Sequence, residues 1–136
     1  MKSPLSTLAW IFSCFLILQS LSAANLDWDG GGDGTDFGCA TNWTCNTVPG
    51  ACDTAQFYGD GCAGATIDLS GGPYTVCRVN INPFSNGTGA EVYTFTCGTL
   101  NTTACGNICV QRGTHNVQCG AVLNSGKRFL VTCGAA

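Results

Sequence analysis

The chain has 136 residues, among them 19 glycines and 11 cysteines, with 45% hydrophobic and only 10% charged residues and a formal net charge of −3. This is one domain's worth of chain, and its acidic balance argues against nucleic acid and anionic membrane surfaces as partners, because both require a basic footprint. The acidity is local: Asp27, Asp29, Asp33 and Asp36 lie before residue 37, and only Asp53, Asp60, Asp68 and Glu91 follow.

The chain begins with Met1-Lys2 and an apolar run, Leu8 to Leu18, too short to span a bilayer. Leu21-Ser22-Ala23-Ala24 follows, with small residues at the minus-three and minus-one positions for cleavage after Ala24. Residues 1–24 therefore read as a secretory signal peptide, the mature protein as secreted and extracellular or at the cell surface, with no membrane contact after cleavage. Setting Lys2 aside, four basic residues (Arg78, Arg112, Lys127, Arg128) face eight acidic ones, a net charge of −4.

Cys14 leaves with the signal, and ten cysteines remain: Cys39, Cys45, Cys52, Cys62, Cys77, Cys97, Cys105, Cys109, Cys119 and Cys133. An even count in an oxidising compartment predicts five disulfides, each worth on the order of 2–4 kcal/mol through restriction of the unfolded chain. The spacing does not select a connectivity. Zinc is disfavoured, since no Cys-Xaa-Xaa-Cys pair is present and His115 is the only histidine.

Residues 25–64 form a Gly- and Cys-rich capping region around Trp28-Asp29-Gly30-Gly31-Gly32-Asp33-Gly34-Thr35-Asp36-Phe37-Gly38. Gly31 to Asp36 matches the first six positions of a calcium-binding β-roll nonapeptide, which makes Asp29, Asp33 and Asp36 candidate calcium ligands. β-roll sites are built by stacking consecutive repeats, and this is a single copy. A flexible acidic turn that closes one end of the fold is therefore the stronger expectation, and no other cofactor is indicated.

From residue 65 to 136 the hydrophobic period is two, broken by turn formers such as Ser70-Gly71-Gly72-Pro73 and Asn124-Ser125-Gly126. This predicts an all-β fold with strands near Thr66–Leu69, Thr75–Ile81, Glu91–Cys97, Ile108–Gln111, His115–Cys119 and Arg128–Cys133. Three Asn-Xaa-Ser/Thr acceptors, at Asn42, Asn86 and Asn101, predict solvent-facing glycosylation positions.

The Trp28 to Gly38 stretch, with Asn42-Trp43, Pro49-Gly50, Asp53-Thr54-Ala55-Gln56-Phe57 and Ala65 to Val76, resembles the N-terminal lead-in of extracellular parallel β-helix solenoids. Such solenoids form the passengers of bacterial autotransporter-like and sorting-tagged surface proteins. The resemblance implies a short right-handed parallel β-helix, stapled by disulfides because few tiers are present. The alternative is a small disulfide-stapled antiparallel β-sandwich. The chain stops after three or four tiers in strand-like residues without a polar cap, which predicts self-assembly through that edge or a truncated longer solenoid.

Catalysis is not expected. Glycoside hydrolysis needs a carboxylate pair, and Glu91 is the only acid after Asp68; His115 has no nucleophile elbow or triad to serve. Threonines such as Thr94 and Thr96 fill a solvated β face without a strict repeat. Trp28, Trp43, Tyr58, Tyr74 and Tyr93 suggest a carbohydrate platform, but in a small domain they more often form the core. The sequence thus points to a non-catalytic extracellular structural or interaction protein with a protein or glycan partner, with a cysteine-rich ligand, inhibitor or effector as the alternative and a carbohydrate-binding module behind both.

Overall fold

The computed structural model describes residues 22–58, 65–81, 92–111 and 115–132. The signal-peptide reading of residues 1–24 falls almost wholly outside them, as do Asp60, Cys62, Asn86, Glu91, Arg112 and Cys133.

Eleven short strands are present among the described residues: β1 (Asn25–Asp27), β2 (Thr54–Phe57), β3 (Thr66–Asp68), β4 (Tyr74–Val76), β5 (Arg78–Ile81), β6 (Thr94–Thr96), β7 (Thr99–Thr102), β8 (Asn107–Gln111), β9 (Asn116–Gln118), β10 (Val122–Asn124) and β11 (Arg128–Thr132). They form three sheets, in the orders β1-β2-β5-β8-β11, β3-β6-β9 and β4-β7-β10. Consecutive strands from β2 onward therefore visit the three sheets in turn. Every strand-to-strand pairing is parallel. Among the described residues the one antiparallel contact is an isolated bridge between Trp28 and Trp43. The all-β expectation holds, and the antiparallel sandwich is overturned: hairpins would have produced antiparallel ladders.

Register lines up equivalent side chains. Leu26, Ala55, Val79 and Ile108 occupy one buried column of the five-stranded sheet, Ile67 and Phe95 face the same interior from the second sheet, and Val76 and Leu100 do so from the third. The alternate positions point outward, as the pleat requires. One outward column is Thr75, Asn101 and Asn124. Asn124 Nδ2 donates to Asn101 Oδ1 (3.0 Å), and Asn101 Nδ2 donates to the Tyr74 carbonyl (3.3 Å).

One sequence expectation needs correction: Thr75–Ile81 is not one strand. The chain turns at Cys77, whose N–H donates to the Asp53 carbonyl (2.7 Å), and β4 and β5 then lie in different sheets. Within the 25–64 capping region, β1 and β2 belong to the five-stranded sheet.

Tight corners let tiers stack at β spacing. Gly98 sits at φ +126°, and a Cβ there would clash with the Leu69 carbonyl oxygen in the tier below. Both the positive φ and the contact demand glycine. Gly98→Ala is expected to destabilise the protein by about 1–3 kcal/mol or more, measured by urea unfolding; unchanged stability would mean that this corner does not set the stacking.

Candidate functional site

The two ends of the stack differ, and each carries part of the candidate site. At the N-terminal end aromatic side chains close the interior. Trp28 and Trp43 meet edge to face with centroids 5.1 Å apart, and Phe37 lies 4.9 Å from Trp43. Phe57 touches Trp43, Tyr93 and Phe95 at 5.5, 5.4 and 5.3 Å. Such geometry adds about 0.5–1.5 kcal/mol per pair beyond burial. Trp28, Trp43 and Tyr93 are core residues, 3%, 0% and 0% exposed, so they form no carbohydrate platform.

The Gly-rich loop over this plug is organised by one side chain. Asn42 is fully buried. Its Oδ1 accepts from the N–H groups of Gly32 and Gly34 (2.9 Å each), while Nδ2 donates to Asp33 Oδ1 (2.7 Å) and to the Asp36 carbonyl (2.9 Å). The Asn42 carbonyl accepts from Asp29 N and Gly30 N, and Trp43 Nε1 donates to the Phe37 carbonyl (2.8 Å). A side-chain amide has two donors and two acceptor sites, and here all four are used.

Asn42, read from the sequence as a solvent-facing glycosylation acceptor, is buried here, with its amide nitrogen committed inside the cap. Asn101 is half-buried with its amide in the ladder described above, and Asn86 lies outside the described residues. Asn42 was legible as a sequon and as part of the Asn42-Trp43 element of the resemblance, and the surrounding glycines, which need an acceptor for their N–H groups, were a further usable signal.

The carboxylates expected for calcium are turned onto backbone. Asp33 Oδ1 also accepts from Thr35 N and Asp36 N, Asp29 Oδ1 from Gly31 N, and Asp36 Oδ1 from Gly38 N, all at 2.8–2.9 Å. Among the described residues no group of three or more His, Cys, Asp or Glu side chains is placed to hold a metal ion. The Asn42 amide, followed by the Thr35 and Asp36 N–H groups, holds Asp33 down at about pKa 2. Burial, and then Asp29, push Asp27 up.

At the C-terminal end of the stack, large apolar side chains are exposed among the described residues. Val117, Val122, Phe129 and Leu130 are 51%, 44%, 53% and 36% exposed. Between the sheets an apolar cavity of about 250 Å³ reaches inward past Val117, Leu123 and Phe129 to Ile81, Phe95 and Val110. His115 borders it; its Nδ1 accepts from Tyr93 N (3.3 Å) and its ring stacks on Tyr93 at 5.9 Å. These contacts give the histidine a positional role.

Comparison with family models, curated proteins and solved structures returned no match.

The eight described cysteines (Cys39, Cys45, Cys52, Cys77, Cys97, Cys105, Cys109 and Cys119) are free thiols in this structure, so the expected disulfides are not formed among them. They lie chiefly at corners between strands, with Cys109 on β8.

Asn42→Ala strips four hydrogen bonds from the cap loop and is expected to cost on the order of 3 kcal/mol, with loss of amide-exchange protection at Gly32 and Gly34; protection equal to wild type would contradict the role assigned to Asn42. Asp33, depressed in the folded state, supports the loop above the unfolded carboxylate pKa of about 3.9, and that support is lost as pH falls toward 2. An NMR titration should place the Asp33 midpoint near pH 2, and a midpoint near 4 would refute the hydrogen-bond cradle.

Proposed function

We propose that the mature chain is a secreted, non-catalytic structural or interaction protein, built as a short right-handed parallel β-helix that is plugged at its N-terminal end and binds a partner at its C-terminal end. Three parallel ladders visited in turn support the architecture. The apolar leader-like stretch before Ala24 supports secretion to the extracellular space or cell surface.

The observation that carries the functional reading is the asymmetry between the ends. One end buries two tryptophans, whereas the other presents four exposed large apolar side chains and a cavity beside the edge strands of the three sheets. An open parallel edge of this kind is a template for pairing with another chain, and Val117, Leu123 and Phe129 around the cavity add apolar surface beside it. The partner that fits is one offering a strand edge and apolar side chains, and a second copy of this chain meets both requirements. A glycan partner is less well supported, because the large aromatics lie inside. Parallel pairing throughout also counts against the independent antiparallel scaffold on which the ligand, inhibitor or effector alternative rests.

Light scattering on the purified secreted chain tests this. Self-association that rises with concentration is expected, reduced at least tenfold in apparent affinity by Val117→Lys with Phe129→Lys, since each charge would have to be desolvated in the contact. A monomer at every concentration, for the wild-type chain, would overturn self-assembly as the use of this surface.

A further inference from the structure

The second and third tiers place one pair of cysteines side by side. In the β6–β9 ladder Thr94 is opposite Asn116, Phe95 opposite Val117 and Thr96 opposite Gln118. One residue further along each strand stand Cys97 and Cys119. Both have left-handed backbone, φ 47° and 52°, and each is followed by a glycine of positive φ, Gly98 and Gly120. Non-glycine residues rarely adopt this conformation. Two residues in the same backbone state at the same step of neighbouring strands project their Cβ atoms in the same direction. Adjacent strands lie about 4.7–4.9 Å apart, inside the Cα separation of about 4.4–6.8 Å that a disulfide bridges. Both cysteines are exposed and so within reach of an oxidant.

The cysteine on β8 differs: register sets Cys109 opposite Asn80 and Leu130.

We propose that Cys97 and Cys119 are a disulfide site, closing one corner of the stack between consecutive tiers. The oxidant is a small-molecule disulfide of the glutathione type. The thiolate of one cysteine attacks a glutathione sulfur, breaking that S–S bond, forming a mixed disulfide and releasing one glutathione thiolate. The second cysteine then attacks the mixed disulfide at the protein sulfur and releases the second glutathione. The two protein sulfurs are oxidised, the oxidant's sulfurs are reduced, and the two thiol protons end on the two glutathione molecules. Register and backbone conformation carry this site independently of the adhesive end, so a chain that proves monomeric leaves it standing.

Tryptic peptide mapping without reduction tests it on the intact chain. Cleavage after Arg78, Arg112 and Lys127 leaves Cys119 as the sole cysteine of peptide 113–127, and Cys97, Cys105 and Cys109 together in peptide 79–112. After incubation with oxidised glutathione and alkylation of residual thiols, the two peptides should run as one linked species whose fragmentation places the bond at Cys97. Cys97→Ser should free Cys119 for alkylation, while Cys109→Ser should preserve the link. Alkylated Cys119 in the oxidised wild-type protein, or Cys119 joined to any other cysteine, would overturn the assignment. The wild-type mapping needs no substitution, so its outcome does not depend on whether the variants fold.

Discussion

Parallel, in-register stacking is the constraint on which the rest of this molecule depends. Each strand pairs with one a full tier away in sequence, so every inward side chain must fit against its equivalent above and below. Leu26, Ala55, Val79 and Ile108 satisfy this as one column, and the Thr75, Asn101 and Asn124 column does so on the outside. A one-residue slip would turn a whole column from interior to solvent. The corners have to be tight for the same reason: a tier that does not turn in the available space cannot keep its neighbour's register, which is why Gly98 lies against the Leu69 backbone.

A stack of this kind has two ends, and each must either be covered or be used. At the first tier the solution is chemical as well as steric. Trp28, Trp43, Phe37 and Phe57 fill the interior, and Asn42 joins Asp29, Asp33 and Asp36 in accepting from the N–H groups of the glycine loop. Toward the last tier Val117, Leu123 and Phe129 stand around a cavity. The two poles of the stack therefore differ: the first is filled by a tryptophan cluster and the last borders a cavity.

Local signals and tertiary contacts bear on the same residues in different ways. Gly31 to Asp36 has the composition of a calcium loop, and a carboxylate beside glycines can serve either a cation or exposed N–H groups; here Asp29, Asp33 and Asp36 accept from backbone N–H groups of the loop. Asn42-Trp43-Thr44 has the composition of a glycosylation acceptor, and Thr75 to Ile81 alternates like one continuous strand. In each case the deciding contact comes from a distant segment: the glycine loop for Asn42, and Asp53 for the turn at Cys77. The tiers are also unequal. Thr54 to Arg78, Val79 to Ile108 and Asn107 to Arg128 are separations of 24, 29 and 21 residues. No fixed period therefore announced the repeat, and β7 and β10, each of three or four residues after a Cys-Gly corner, did not stand out as strands.

By itself the sequence determined the all-β class, the alternation of β3, β6 and β9, the acidic glycine loop and the concentration of large aromatics toward its N-terminal part. These follow from side-chain chemistry and from the two-residue pleat, which act between neighbours along the chain. Parallel strands were already implied by the resemblance of the Trp28 to Val76 stretch; only the tertiary structure decided that Asn42 is an internal hub and that Cys97 stands beside Cys119. Those outcomes depend on which strand lies next to which across more than twenty residues. That choice is made by packing whole tiers against one another, and no local pattern encodes it.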